Sequence, residues 1–173
     1  MKKAVSGFTI VELLIVVVVI AILAVMTVVA FNGVQNRAND SVVQNDLRAL
    51  AKKMRLYHID NSAYPSTFPA LESMQYKASG GAYAITPTVS RNHIYCIATG
   101  LNDYALLAKS KSGNAYILQN DGAILPFATA WGAATTAGSL CDSIDGAGTL
   151  YTTANAAGYW TGQTPNWGAW TGV

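Results

Sequence analysis

The sequence predicts an α+β protein: one long N-terminal helix, half of it apolar and half amphipathic, packed by its second half on an antiparallel sheet of three or four strands. Three observations predict it. Residues 13–31 read LLIVVVVIAILAVMTVVAF, an apolar run with no charge. Val43, Leu47, Leu50, Met54 and Tyr57 then recur at spacings of four and three, the stripe of a half-buried helix. Beyond residue 92, short β-rich runs alternate with turn residues.

The apolar run has the length that spans a hydrocarbon core, roughly 20 residues at about 1.5 Å each. Lys2 and Lys3 precede it and hold that end in the cytoplasm, so the rest of the chain lies outside. From Phe8 to Phe31 the only ionisable side chain is Glu12. A carboxylate at bilayer depth costs several kcal/mol unless paired or hydrated, so Glu12 reads as functional. A plain signal anchor and a secretory signal cut after Val28-Val29-Ala30 both fit the run itself. The run is longer than an ordinary signal core, and neither reading explains Glu12.

No proline interrupts residues 8–64, and one helix of about 50 residues follows from that. Asp40 and Asp46 precede Lys52, Lys53 and Arg55, an order that complements the helix dipole. Asn32-Gly33 is the weak point of the helix. Arg48, Lys52 and Arg55 recur at i, i+4 and i+7, which reads as a solvated face, a contact with acidic groups of a neighbour, or a weak nucleic-acid stripe. Asn61, Ser62 and Pro65 end the helix.

In the head, a short helix is expected over 67–76. Strands are expected at 94–98, 104–109, 116–119 and 123–125, with Asn120-Asp121-Gly122 as a hairpin turn. Cys96 and Cys141 are the only cysteines. In an exported chain an even count reads as one disulfide, with two buried free thiols as the alternative. From residue 126 the chain is rich in Gly, Ala and Thr, and Trp160, Trp167 and Trp170 offer either a ligand surface for sugar or protein, or packing onto the sheet or the next subunit.

Composition narrows the function. Charged residues are only 12% of the 173, and without Lys2 and Lys3 nine basic residues face nine acidic ones. That balance disfavours a protein built mainly to bind nucleic acid. His58 and His93 stand apart, no nucleophile or phosphate-loop motif occurs, and no catalytic residue is assigned. Asp142, Asp145 and Gly146 hint at calcium, but two carboxylates fall short of the roughly six to eight oxygens it takes. No metal or cofactor is assigned.

The stretch from Lys2 through Gly7-Phe8-Thr9-Ile10-Val11-Glu12-Leu13-Leu14 resembles the class III signal of type IV pilins and their relatives. The run Tyr57-x-x-Asp60-Asn61-x-x-Tyr64-Pro65 resembles the helix exit of many pilins and pseudopilins. The resemblance implies the pilin fold, with a leader over 1–7, a membrane or filament-core helix over 8–31, an amphipathic helix over 32–60 and a head over 61–173. It implies cleavage between Gly7 and Phe8 by a prepilin peptidase, which also N-methylates Phe8. It further implies a homopolymer in which Glu12 of one subunit meets the Phe8 amine of the next. An assembly platform and cytoplasmic ATPases would drive it, and the product would be a surface filament for adhesion, motility or DNA uptake. A pseudopilin of a secretion system, a minor pilin, and a membrane-anchored carbohydrate-binding domain are the alternatives. Many members carry a proline in the apolar half; this chain has Val28-Val29 there.

Overall fold

The computed structural model describes residues 7–66, 68–76, 78–83, 93–98, 100, 102–129, 131 and 137–144. The expected helix is α1, Ile10–Asn61, and it runs without a break through Asn32-Gly33. The chain divides into two compact units, one through Asn36 and one from Arg37 onward.

In the first unit the large apolar side chains described are exposed, as a segment built for lipid or for a helical assembly must be. The second unit is the head. Of its α1 stripe, Val43, Leu47, Leu50 and Met54 are fully covered, each contributing roughly 1.5–3 kcal/mol, while Tyr57 is half-buried.

Four strands follow: β1 (His93–Ile97), β2 (Tyr104–Lys109), β3 (Ala115–Gln119) and β4 (Ile124–Pro126). They form one antiparallel sheet in the order β1-β2-β3-β4. Strand alternation gives the sheet two buried faces. Tyr95, Ile97, Tyr104, Leu106, Ala108 and Leu118 share a core with the α1 stripe. Ile94, Cys96, Ala98, Ala105, Leu107 and Ile117 pack instead with Trp131, Leu140 and Cys141. The second layer includes α3, Ala137–Asp142, a helix that no periodicity foretold. The short helix expected over 67–76 is α2, Phe68–Ser73.

The β3–β4 turn differs in detail from the Asp-Gly expectation. The left-handed pair is Asn120 (φ 45°) and Asp121 (φ 61°), and the Gly122 amide donates back to the Gln119 carbonyl at 2.8 Å. Asn and Asp tolerate this region better than other side-chain-bearing residues. Gly122 is needed for a different reason: a Cβ there would lie 2.9 Å from the Gln119 carbonyl oxygen.

Candidate functional site: the helix entry and the helix-to-head clasp

Gly7 and Phe8 precede the helix, and Phe8 is 80% exposed. Thr9 is the residue before the first helical position, and Glu12 is the third inside. The Thr9 amide and hydroxyl donate to the same Glu12 carboxylate oxygen at 2.8 and 2.6 Å. The Glu12 amide donates to the Thr9 hydroxyl at 3.3 Å. This is a reciprocal capping box, which satisfies amides that a helix start leaves unpartnered. Glu12 is therefore partnered within its own chain. Sequence reasoning passed over Thr9, although Thr-x-x-Glu ahead of an apolar run is itself a helix-start signature.

Beyond the cap, α1 contains an 18-residue window of mean hydropathy 3.4, none of it buried. By length and composition it can cross a membrane.

In the head, carboxylates hold the sheet to the helix. Asp40 accepts from the Ser112 hydroxyl and from Asn114 Nδ2 at 2.8 Å. Gly113, with φ 98°, makes the β2–β3 turn that presents those donors. Burial alone would raise the Asp40 pKa. Donors from Ser112, Ser110, Asn114 and Tyr116 outweigh it and hold the carboxyl below the usual range. Asp46 accepts from the Ser79 amide at 2.8 Å, the Ser79 hydroxyl at 3.1 Å and the Tyr83 hydroxyl at 2.9 Å. Asp121 accepts from Tyr104 at 2.8 Å and from Arg55 Nε at 2.9 Å.

The dipole reading of Asp40 and Asp46 is thereby corrected. A dipole acts within the terminal turns, and both residues lie far inside a helix of 52 residues. They are acceptors for the head.

Two further devices position the head. Ser62 ends α1 with φ 57°, its amide bonded to the His58 carbonyl at 2.8 Å. Tyr64 then packs between His58 and Tyr104, and the Tyr95 hydroxyl donates to the Pro65 carbonyl at 2.9 Å. Cys96 on β1 and Cys141 on α3 form a disulfide with Cα atoms 5.7 Å apart, which settles the choice against free thiols.

Other sequence-level candidates stay apart. Arg48, Lys52 and Arg55 share an exposed face of α1, with Arg55 on Asp121 and Arg48 on Asn45. Asp142 ends α3, while Asp145 and Gly146 lie outside the described residues, as do Trp160, Trp167 and Trp170. Among the described residues no three His, Cys, Asp or Glu gather as a metal site would require.

Residues 2–28 match the prokaryotic N-terminal methylation motif. The chain is similar to the type II secretion system core protein G of Pseudomonas aeruginosa, 37% identical over 79 residues, covering 46% of this chain and 56% of that protein. It therefore spans little more than half the length of that relative. It is also similar to the type IV wide pilus major component PilA4 of Thermus thermophilus, 36% identical over 95 residues, covering 55% of this chain and 72% of that protein. The core protein G of Vibrio cholerae is 36% identical over 72 residues, 42% of this chain and 49% of that protein. A capped apolar helix carrying the methylation motif leads into a four-stranded head, and the likeness extends over most of a known pilus component; the chain belongs to the type IV pilin family.

Proposed function

We propose that the chain is a prepilin, the precursor of a structural subunit of a type IV pilus. Residues 1–7 are its leader, 8–31 the membrane and later filament-core helix, 32–60 the amphipathic continuation and 61–173 the head. A prepilin peptidase cuts between Gly7 and Phe8 and methylates the new amine. The precursor sits in the cytoplasmic membrane with its head outside. Assembly moves the apolar helix from lipid to the packed helices of a homopolymer, driven by a platform and ATPases. The chain works by packing and is not an enzyme.

One observation carries this reading: the methylation motif runs into the exposed apolar part of α1, where Glu12 in the first turn is the sole carboxylate before Asp40. Cutting before Phe8 places a cationic amine four residues ahead of Glu12. In staggered parallel helices the carboxylate of one subunit meets the amine of the next. Such a pair adds little net energy, but leaving either charge unpartnered is costly, so it selects register.

The likeness to core protein G supports a second reading, a secretion pseudopilin. The longer match to the wide-pilus component favours the pilus. The test is the N-terminal sequence and intact mass of this protein in sheared surface material. Abundant filaments of a chain starting at Phe8, heavier by one methyl, support the pilus subunit. A processed chain confined to the cell envelope supports the pseudopilin. A chain starting at Phe31, or retaining Met1, rejects both.

A further inference from the structure

We infer that the outward face of α1 between Arg48 and Asp60 is a contact surface for a second copy of this chain, with Asp60 of one copy pairing with Lys52 of the next. This deepens the polymer reading above and rests on it.

The face is unlike the rest of the head surface. Among the described residues from Arg37 onward, only three large hydrophobic side chains are exposed: Leu56 at 54%, Ile59 at 68% and Leu125. Two of the three lie here, on the side of α1 opposite its buried stripe. At about 100° per residue, Ile59 and Leu56 fall near the middle of the outward arc. Along the axis Arg48, Lys52 and Arg55 precede them, Lys52 on the same arc, and Asp60 follows. An apolar centre with a charged rim is the anatomy of a protein contact, not of a solvated face.

The charges carry their own complement. Lys52 and Asp60 are exposed and have no partner among the described residues. They cannot satisfy each other within one helix, since Asp60 stands about 12 Å along the axis and about 80° round from Lys52. Arg55 is already held by Asp121. Cations at one end of the face and a carboxylate at the other is what a propagating contact requires, because it joins two different surfaces of identical subunits. A parallel copy displaced along the axis brings Asp60 of one to Lys52 of its neighbour. A nucleic-acid strand fits less well: Leu56 and Ile59 occupy the centre, where phosphates would lie, and Asp60 would repel them.

The experiment compares Lys52→Asp, Asp60→Lys and the charge-swapped double variant, each as the full chain in its own cells. Sheared filament yield is measured against membrane level and disulfide formation, which report folding. Each single variant sets like charges face to face, so each is expected to lose filaments roughly tenfold at an unchanged membrane level. The double variant is expected to regain most of the yield. A Lys52→Cys, Asp60→Cys chain is expected to crosslink between subunits in filaments. Singles that assemble normally overturn the contact and leave the polymer intact. Singles that fail without rescue in the double overturn the pairing. Normal assembly with lost DNA retention in Lys52→Asp overturns it in favour of a polyanion surface. Absence of the unaltered chain from any filament instead defeats the polymer reading itself.

Discussion

The Thr9 hydroxyl lies 2.6 Å from the Glu12 carboxylate, on the same oxygen that the Thr9 amide reaches. Both bonds fall on one oxygen of the carboxylate. The helix start thus holds the carboxylate in place, and in the proposed polymer it would lose less orientational freedom on meeting a neighbour. Glu12→Ala is expected to insert in the membrane and to abolish filaments. Thr9→Ala keeps the carboxylate and the amide bond to it but removes the hydroxyl, and is expected to lower filament yield without abolishing it. Immunoblots of sheared and membrane fractions separate the two outcomes.

Asp46 takes three donors from the head, one of them from the buried Tyr83. Asp46→Ala removes the acceptor of all three bonds, and is expected to cost about 2–3 kcal/mol. Denaturant melts of the full chain in detergent measure it. Asp46→Asn, which keeps one acceptor oxygen, is expected to lose less.

His93 is fully buried beside the rings of Tyr76 and Tyr83, at 6.1 and 5.9 Å between centroids. Burial pushes its pKa down from 6.5 to about 3. Between those values the unfolded chain binds one more proton than the folded one, so stability rises with pH across the window and falls on acidification. Melting of the head is expected to weaken steadily below pH 6.5. His93→Phe is expected to flatten that slope, whatever it does to stability at neutral pH.

The Cys96–Cys141 bridge closes a separation of 45 residues. On the chain-entropy model that restricts the unfolded state by about 4 kcal/mol. Cys96→Ser is expected to lower head stability by roughly 2–4 kcal/mol, read from melts with and without reductant. A variant that melts like the parent, with reductant leaving both unmoved, contradicts a stabilising bridge.

What could be read from the sequence was what local chemistry controls. The α1 stripe announced itself because Val43, Leu47, Leu50 and Met54 must share one side of a helix. The β3–β4 hairpin did so because Asn-Asp-Gly favours a tight turn, although the left-handed pair sits one residue earlier than the Asp-Gly signal suggests. Thr9 was readable as a cap in principle. Asp40 and Asp46 were not, because their donors come from 33 to 74 residues away. The only local hint was a pair of poor helix formers in a helix interior. α3 has six residues, too few for a period to show.

The alternation of the sheet assigns its two sides to different constraints. Tyr95 and Ile97 answer to α1, while Cys96 between them answers to the layer with Trp131 and Leu140. Among the described residues, a change in that second layer therefore reaches α1 through the backbone of the sheet. The chain can vary, or be engineered to display a foreign peptide, on the disulfide-pinned side while the helix-facing residues stay as they are.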